Sequence, residues 1–228
     1  MSLSLPEGDG PLRRERLRTA RLYFVCEARP QTDLETLLRA ALTGGADIVQ
    51  LREKELGRAE IERAAGTFRR IADTFSALFI VNDDPELARA CDADGVHVGQ
   101  DDVSAEEARE LLGPDAIVGL STHSEEQIAA SAERPVDYIS VGPIWETPTK
   151  EGRPGVGLDL VSHAAQRAPH PFFAIGGIDT GNAEEVVRAG AERLCVVRAL
   201  RDSADPEAAA TALRQAFGDG ERGVAPGG

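Results

Sequence analysis

Gln50, Arg52 and Lys54 stand two positions apart at the end of an apolar run, Asp47 to Arg52. Side chains of an extended chain alternate faces, so Gln50 and Arg52 point to one side, and Lys54 continues the row if the chain stays extended. That face gathers an amide and two cations. A guanidinium fork grips an anion bidentately while a lysine ammonium adds a mobile point charge, a pairing suited to phosphate or pyrophosphate. Taken alone, the stretch reads better as a strand end with solvated charges. Residues further along the chain reverse that preference.

Asn82-Asp83-Asp84-Pro85 ends another apolar run, and Gly95-Val-His-Val-Gly-Gln-Asp101-Asp102 ends the next. Carboxylates at two neighbouring strand ends can converge on one hard cation, and Mg²⁺ takes one or two protein carboxylates beside waters and phosphate oxygens. The competing reading makes Asp83, Asp84 and Asp102 turn formers or helix caps, and it is preferred for Asp84 and Asp101. Ser121, in Gly119-Leu-Ser-Thr-His123, could donate to a phosphate oxygen or simply enter a helix. His97 and His123 could shuttle protons, but structural imidazoles bonded to backbone are the better reading. Residues 143–157 lack both helical and strand period and include Thr147-Pro148-Thr149-Lys150, two hydroxyls and a cation. Long irregular segments of this kind are binding loops or lids, or else plain surface loops. Gly176-Gly177 follows the seventh apolar run, where a glycine pair is costly unless something approaches the backbone closely.

The elements that must position these residues alternate regularly. Strands are expected at Leu22–Glu27, Asp47–Arg52, Leu78–Asp83, Gly95–Gly99, Ala116–Ser121, Tyr138–Gly142, Phe172–Gly176 and Arg193–Arg198. Helical spacing marks Leu34–Leu42, Ile61–Phe75, Ala105–Leu112 and Ala183–Ala189 between them. Capping boxes are expected at Thr32-x-x-Glu35, Ser104-x-x-Glu107 and Ser124-x-x-Gln127, and helix-closing glycines at Gly44-Gly45 and Gly190. Eight strand-then-helix units predict a (β/α)₈ TIM barrel, an α/β fold, with an open doubly wound sheet as the alternative. The alternative calls for a Gly-x-Gly-x-x-Gly turn after Glu27, and none follows it. In a barrel, ligands sit at the C-terminal ends of the strands, and the loops after strands seven and eight often bind phosphate. All of the candidate residues lie at or just beyond such ends.

The 228 residues, 42% of them hydrophobic, are expected to form one domain: an extension over 1–20, the barrel over 21–217 and a disordered tail over 218–228. The arginine-rich Pro11–Arg21 segment reads as a short helix covering the barrel's N-terminal side. A net charge of −14 argues against nucleic acid and anionic membrane as partners, so an anionic ligand needs locally gathered cations. The three cysteines have no metal-ligand or paired spacing and read as buried thiols of a reducing compartment. No leader or membrane-spanning run is read, and a cytoplasmic protein is expected. Oligomeric state is left open, a homo-oligomer included.

Taken in order, Gln50-Leu-Arg-Glu-Lys54, Asn82-Asp83, Gly95-Val-His-Val-Gly-Gln-Asp-Asp102, Ser121-Thr-His, Val141-Gly-Pro-Ile, Thr147-Pro-Thr-Lys150, Ile175-Gly-Gly-Ile178 and Val196-Val-Arg-Ala199 resemble the thiamine-phosphate synthase family from about Leu22 to Leu200. The resemblance implies coupling of 4-amino-5-hydroxymethyl-2-methylpyrimidine diphosphate to a thiazole phosphate, with release of pyrophosphate and with Mg²⁺ as cofactor. It implies that Gln50, Leu51, Arg52, Glu53 and Lys54 all bind substrate, with Gln50, Arg52 and Lys54, together with Asn82, Ser121 and Lys150, holding the pyrimidine diphosphate. It places Asp83 and Asp102 on the metal, and Thr147, Pro148, Thr149, Gly177, Val197 and Arg198 around the thiazole phosphate. Arg52, Lys54 and Lys150 would carry catalysis by stabilising the departing pyrophosphate. The family often has serine at the position of Arg198, so backbone N–H or guanidinium would have to serve here. The residues themselves agree with that division of labour, since they offer cations and a metal site but no nucleophile–base pair. A thiazole tautomerase of the same fold, using His123 or His97 as base, and a non-catalytic sensor of phosphorylated ligands are the rival readings.

Overall fold

The computed structural model describes residues 9–146 and 154–218. Eight parallel strands, β1 (Leu22–Cys26), β2 (Ile48–Leu51), β3 (Leu78–Asn82), β4 (Gly95–Val98), β5 (Ile117–Thr122), β6 (Tyr138–Val141), β7 (Phe172–Ile175) and β8 (Leu194–Val196), pair in chain order. β8 closes on β1, with Tyr23 opposite Cys195 and Phe24 opposite Val196. The closed ring excludes the doubly wound alternative. Helices follow the strands: α2 (Leu34–Thr43), α3 (Arg58–Phe75), α4 (Pro85–Ala90), α5 (Ala105–Leu112), α6 (Glu125–Ala130), α7 (Gly157–Arg167), α8 (Ala183–Arg188), and α9 (Arg198–Arg201) with α10 (Pro206–Gln215) after β8. A further helix, α1 (Gly10–Thr19), precedes β1.

Strand alternation splits the apolar residues into two cores. Leu22, Phe24, Val49, Leu51, Phe79, Val81 and Val196 face outward and pack under the helices, with Phe68 of α3 stacked on Phe79 at 5.5 Å between centroids. Tyr23, Val25, Ile48, Leu78, Ile80, Ile117, Tyr138, Phe173 and Cys195 fill the barrel interior. Leu17 of α1 joins that inner cluster at 4% exposure, so α1 stoppers the N-terminal end of the barrel. Full burial of such a side chain contributes about 2 kcal/mol.

The same end is tied by a repeated polar device. Asp47, Asp94 and Asp137 each stand just before an even strand and accept from the first amides of the preceding odd strand. Arg21 and Leu22 donate to Asp47 (2.7 and 3.0 Å), Phe79 to Asp94 (2.8 Å) and Val118 to Asp137 (2.8 Å). Arginines complete each carboxylate: Arg214 on Asp47, Arg13 and Arg69 on Asp94, Arg14 and Arg109 on Asp137. Parallel strand starts leave N–H groups unpaired, and a buried unpaired donor is costly, so these aspartates answer a need built into the fold.

Helix starts correct two expectations. At α2 the cap is Asp33, whose carboxylate accepts from the Thr36 N–H and hydroxyl, rather than Thr32. At α6 Ser124 caps Gln127, but the Gln127 side chain accepts from His123 N–H, so the reciprocal half of the box is absent. Only Ser104 with Glu107 forms the complete box.

Candidate active site

The C-terminal strand ends open into a cleft of about 660 Å³. β2 and the turn after it bring Gln50, Arg52 and Lys54 to its wall, β3 brings Asn82 and Asp83, and the turn after β4 brings Asp102. Ser121 of β5, Gly177 after β7, and Val197 and Arg198 after β8 complete the expected residues that line it. The alternation inferred for Gln50 and Arg52 therefore holds, and Lys54 stays with them.

Leu51 and Glu53 do not line the cleft. Leu51, 1% exposed, faces the outer core, as its register beside Gln50 requires. Glu53 accepts from the N–H groups of Lys54 (2.8 Å) and Glu55 (2.9 Å) through one oxygen, and from Ala28 N–H (3.3 Å) through the other. Its side chain folds the turn that presents Lys54. Thr147, Pro148, Thr149 and Lys150 lie outside the described residues. The stems of their loop are joined by Val156 N–H to Pro143 O (2.8 Å) and Gly157 N–H to Ile144 O (3.0 Å), beside the cleft wall formed by Gly142 and Pro143.

Charge at the rim is concentrated and only partly neutralised. Lys54 Nζ lies 3.4 Å from Asp83. Asp83 holds φ +63, a left-handed conformation that aspartate tolerates better than most residues. Burial of its carboxyl, and next the hydrogen-bonded Asp102 carboxyl beside it, push its pKa above the ordinary value, with Lys54 pulling the other way. Asp102 also accepts from Gly99 N–H (2.9 Å). Among the described residues no salt bridge engages Arg52 or Arg198. Asp84 does cap α4, accepting from Leu87 N–H, and pairs with Arg58. Asp101 sits in the turn after β4, as expected, and lines the cleft, while the cap of α5 is Ser104.

The glycine pair has a structural occupant. A Cβ on Gly176 would lie 2.4 Å from Pro143 Cα, and one on Gly177 would lie 2.9 Å from Trp145 Cβ. The chain leaving β6 crosses here, with Ile144 and Trp145 N–H groups donating to the carbonyls of Ile175 and Gly176. The close approach expected at these glycines is made by a neighbouring segment. Asn182 then donates to Gly177 O (2.8 Å), steadying the turn.

Beneath the rim lies a hydrogen-bonded array of side chains that the motifs did not reveal. Gln50 Nε2 donates to Tyr23 OH (2.6 Å), Tyr23 OH meets Tyr138 OH (3.0 Å), and Tyr138 OH meets His97 Nδ1 (3.0 Å). His97 Nε2 meets Ser121 Oγ (3.0 Å), with Ser140 Oγ at 3.4 Å. His97 is thus held by the side chains of Tyr138 and Ser121, whereas His123 Nδ1 sits against Gly142 O, the backbone contact expected of it. Burial raises the pKa of both tyrosines, keeping them protonated. The available signal was spacing: Tyr23, Gln50, His97, Ser121, Tyr138 and Ser140 all occupy inward positions of their strands.

The thiamine monophosphate synthase profile matches residues 22–200. The chain belongs to that family. Thiamine-phosphate synthase from Saccharopolyspora erythraea is 46% identical over 223 residues, covering 94% of this chain and all of that protein. Its counterpart from Thermus thermophilus is 47% identical, covering 86% of this chain and 96% of that one. Among solved structures, thiamine phosphate pyrophosphorylase from Pyrococcus furiosus superposes with a TM-score of 0.79 at 31% identity, over 90% of this chain and 97% of that one. The family match spans all eight strands and the cleft residues from Tyr23 to Ala199.

Proposed function

We infer that this chain is a thiamine-phosphate synthase, joining 4-amino-5-hydroxymethyl-2-methylpyrimidine diphosphate to a thiazole phosphate with release of pyrophosphate. The observation that carries the reading is the gathering of Arg52, Lys54, Asp83 and Asp102 on one rim in a chain of this family. Gln50, Arg52, Lys54, Asn82 and Ser121 hold the pyrimidine diphosphate, and the backbone around Gly177 and Val197, with Arg198, receives the thiazole phosphate. Thr147, Pro148, Thr149 and Lys150 are assigned to the same ligands by resemblance alone.

Two adjacent carboxylates fit Mg²⁺, which completes its shell with waters and phosphate oxygens. Among the described residues no cluster of three or more carboxylate, histidine or cysteine ligands exists, which disfavours a metal held by protein alone. Asp83 and Asp102 would hold the ion, and it would supply charge neutralisation for the diphosphate. As the pyrimidine-CH₂–O bond breaks, its electron pair stays with pyrophosphate, where Arg52 and Lys54 stabilise the growing negative charge. The thiazole nitrogen lone pair then forms the new C–N bond. The nucleophile belongs to the substrate, so no activated protein nucleophile is needed.

The test is pyrophosphate release from the two purified phosphates with Mg²⁺, with and without chelator. Release matched by thiamine phosphate, stopped by chelation and restored by excess Mg²⁺, is expected. Ligand binding without release would favour a sensor, and tautomerisation of a thiazole carboxylate without coupling would favour the tautomerase.

A further inference from the structure

We propose that Tyr23 and Tyr138 are positioning residues, which transmit the donor end of Gln50 to His97 and so fix Ser121 as a hydrogen-bond donor toward the cleft. Proton accounting along the buried array sets the direction. An amide nitrogen can only donate, so Tyr23 oxygen accepts from Gln50 Nε2 at 2.6 Å. The Tyr23 proton is then directed at its other partner, Tyr138 oxygen, 3.0 Å away. Tyr138, having accepted, passes its own proton toward His97 Nδ1 at 3.0 Å. With Nδ1 accepting, the imidazole proton resides on Nε2 and points at Ser121 Oγ, 3.0 Å away. Ser140 Oγ approaches the same oxygen at the long distance of 3.5 Å. Ser121 oxygen is therefore occupied as an acceptor, and its proton is left for the cleft it lines.

Direction matters because the reversed chain is equally connected. Were Tyr23 to donate to position 50, every link would turn, His97 would carry its proton on Nδ1, and Ser121 would give its proton to Nε2. The cleft would then meet a lone pair at Ser121 and favour a ligand donor. As built, it selects a ligand atom that accepts, such as a phosphate oxygen or an unprotonated ring nitrogen. The geometry is supported from outside the chain of bonds: Tyr138 lies nearly parallel to His97 (28°, centroids 5.5 Å), and its ring fills the space left by Gly119. A Cβ on Gly119 would come within 2.2 Å of that ring.

This inference deepens the proposed reading of Ser121 as a substrate contact, but its decisive measurement needs no substrate. The intact protein, labelled with ¹⁵N-histidine, reports the tautomer of each imidazole by two-bond ¹H–¹⁵N correlation, and the His97→Gln spectrum identifies the His97 signals. The wild type is expected to carry the His97 proton on Nε2. Gln50→Glu at mildly alkaline pH, placing an obligate acceptor at the head of the chain, is expected to move it to Nδ1. Tyr23→Phe, which removes the relay while preserving shape, is expected to give a mixture. In the wild-type protein a proton on Nδ1 overturns the proposal whatever the variants do. So does a tautomer indifferent to both substitutions. In turnover, Tyr138→Phe is expected to raise KM for the pyrimidine diphosphate about tenfold, the effect of one lost hydrogen bond, with kcat less affected. Failure of pyrophosphate release would sink the functional reading and leave the tautomer result standing.

Discussion

Lys54 is exposed at the rim, yet its ammonium is drawn to Asp83 at 3.4 Å, within a turn folded by Glu53. An exposed ion pair contributes little to stability, and the role proposed for this pair is chemical. Lys54→Ala and Asp83→Ala are each expected to lower kcat about 100-fold or more while thermal unfolding stays near wild type, since the first removes a cation proposed to stabilise the leaving group and the second a carboxylate proposed to hold Mg²⁺. Steady-state kinetics beside melting curves decide this, and wild-type turnover in either variant would remove the assigned role. Glu53 separates a ligand contact from a turn organiser. Glu53→Gln keeps an oxygen for the Lys54 and Glu55 amides and is expected to stay within a few-fold of wild-type activity. Glu53→Ala leaves those exposed donors to water, a loss of about 0.5–1.5 kcal/mol in turn stability, and is expected to behave like a weakened Lys54 variant. Equal kinetics for the two substitutions would contradict this role.

Individual elements show where local rules hold and where tertiary packing sets the terms. Gly176 has φ +106 and the β6–α7 crossing pressed against it. Gly176→Ala is expected to cost at least about 1–3 kcal/mol from backbone strain alone, read as a lowered Tm, with the clash at Pro143 adding to it. An unchanged Tm would mean the crossing is not fixed as described. Between α2 and α3, Glu35 accepts first from Arg70 and then from Arg39, whose hydrogen bonds lower its pKa from 4.5 to about 2. A carboxylate with a depressed folded pKa contributes stability above its unfolded value and loses that contribution as pH falls through the folded one. Wild type is therefore expected to lose urea resistance between about pH 4.5 and 2 more steeply than Glu35→Gln. Parallel titration curves would show that the bridge is screened by solvent.

At the scale of the molecule, the two ends of the barrel use arginine in opposite ways. Below, Arg13, Arg14, Arg69, Arg109 and Arg214 are matched to Asp47, Asp94 and Asp137; above, Arg52 and Arg198 line the cleft without an ion-pair partner among the described residues. In a chain of net charge −14 this leaves cations available to an anion where the strands end. Asp94→Ala strands Arg13 and the Phe79 amide at the buried end and leaves Arg69 with Asp73 as its remaining carboxylate. It is expected to destabilise folding by roughly 3–5 kcal/mol, yet leave kcat per folded molecule unchanged. Denaturant unfolding with active-site titration separates the two effects, and a kcat loss matching the stability loss would mean that the lower end couples to the cleft.

The eight apolar runs, their order and the chemistry at their ends were legible in sequence because period-two and period-3.6 patterns are local, and because eight such units have few ways to bury both strand faces. The placement of Arg52, Lys54 and Asp83 at one rim followed from that topology. Sequence alone did not distinguish Leu51 and Glu53 from their neighbours as turned away from the cleft, nor identify Pro143 and Trp145 as what presses on the glycine pair. It also gave no sign that Tyr23, Tyr138 and His97 would meet. Such contacts join residues up to 115 positions apart. Barrel closure and side-chain packing decide them, because hydrogen bonds form only where separate strands set donor and acceptor within about 3 Å.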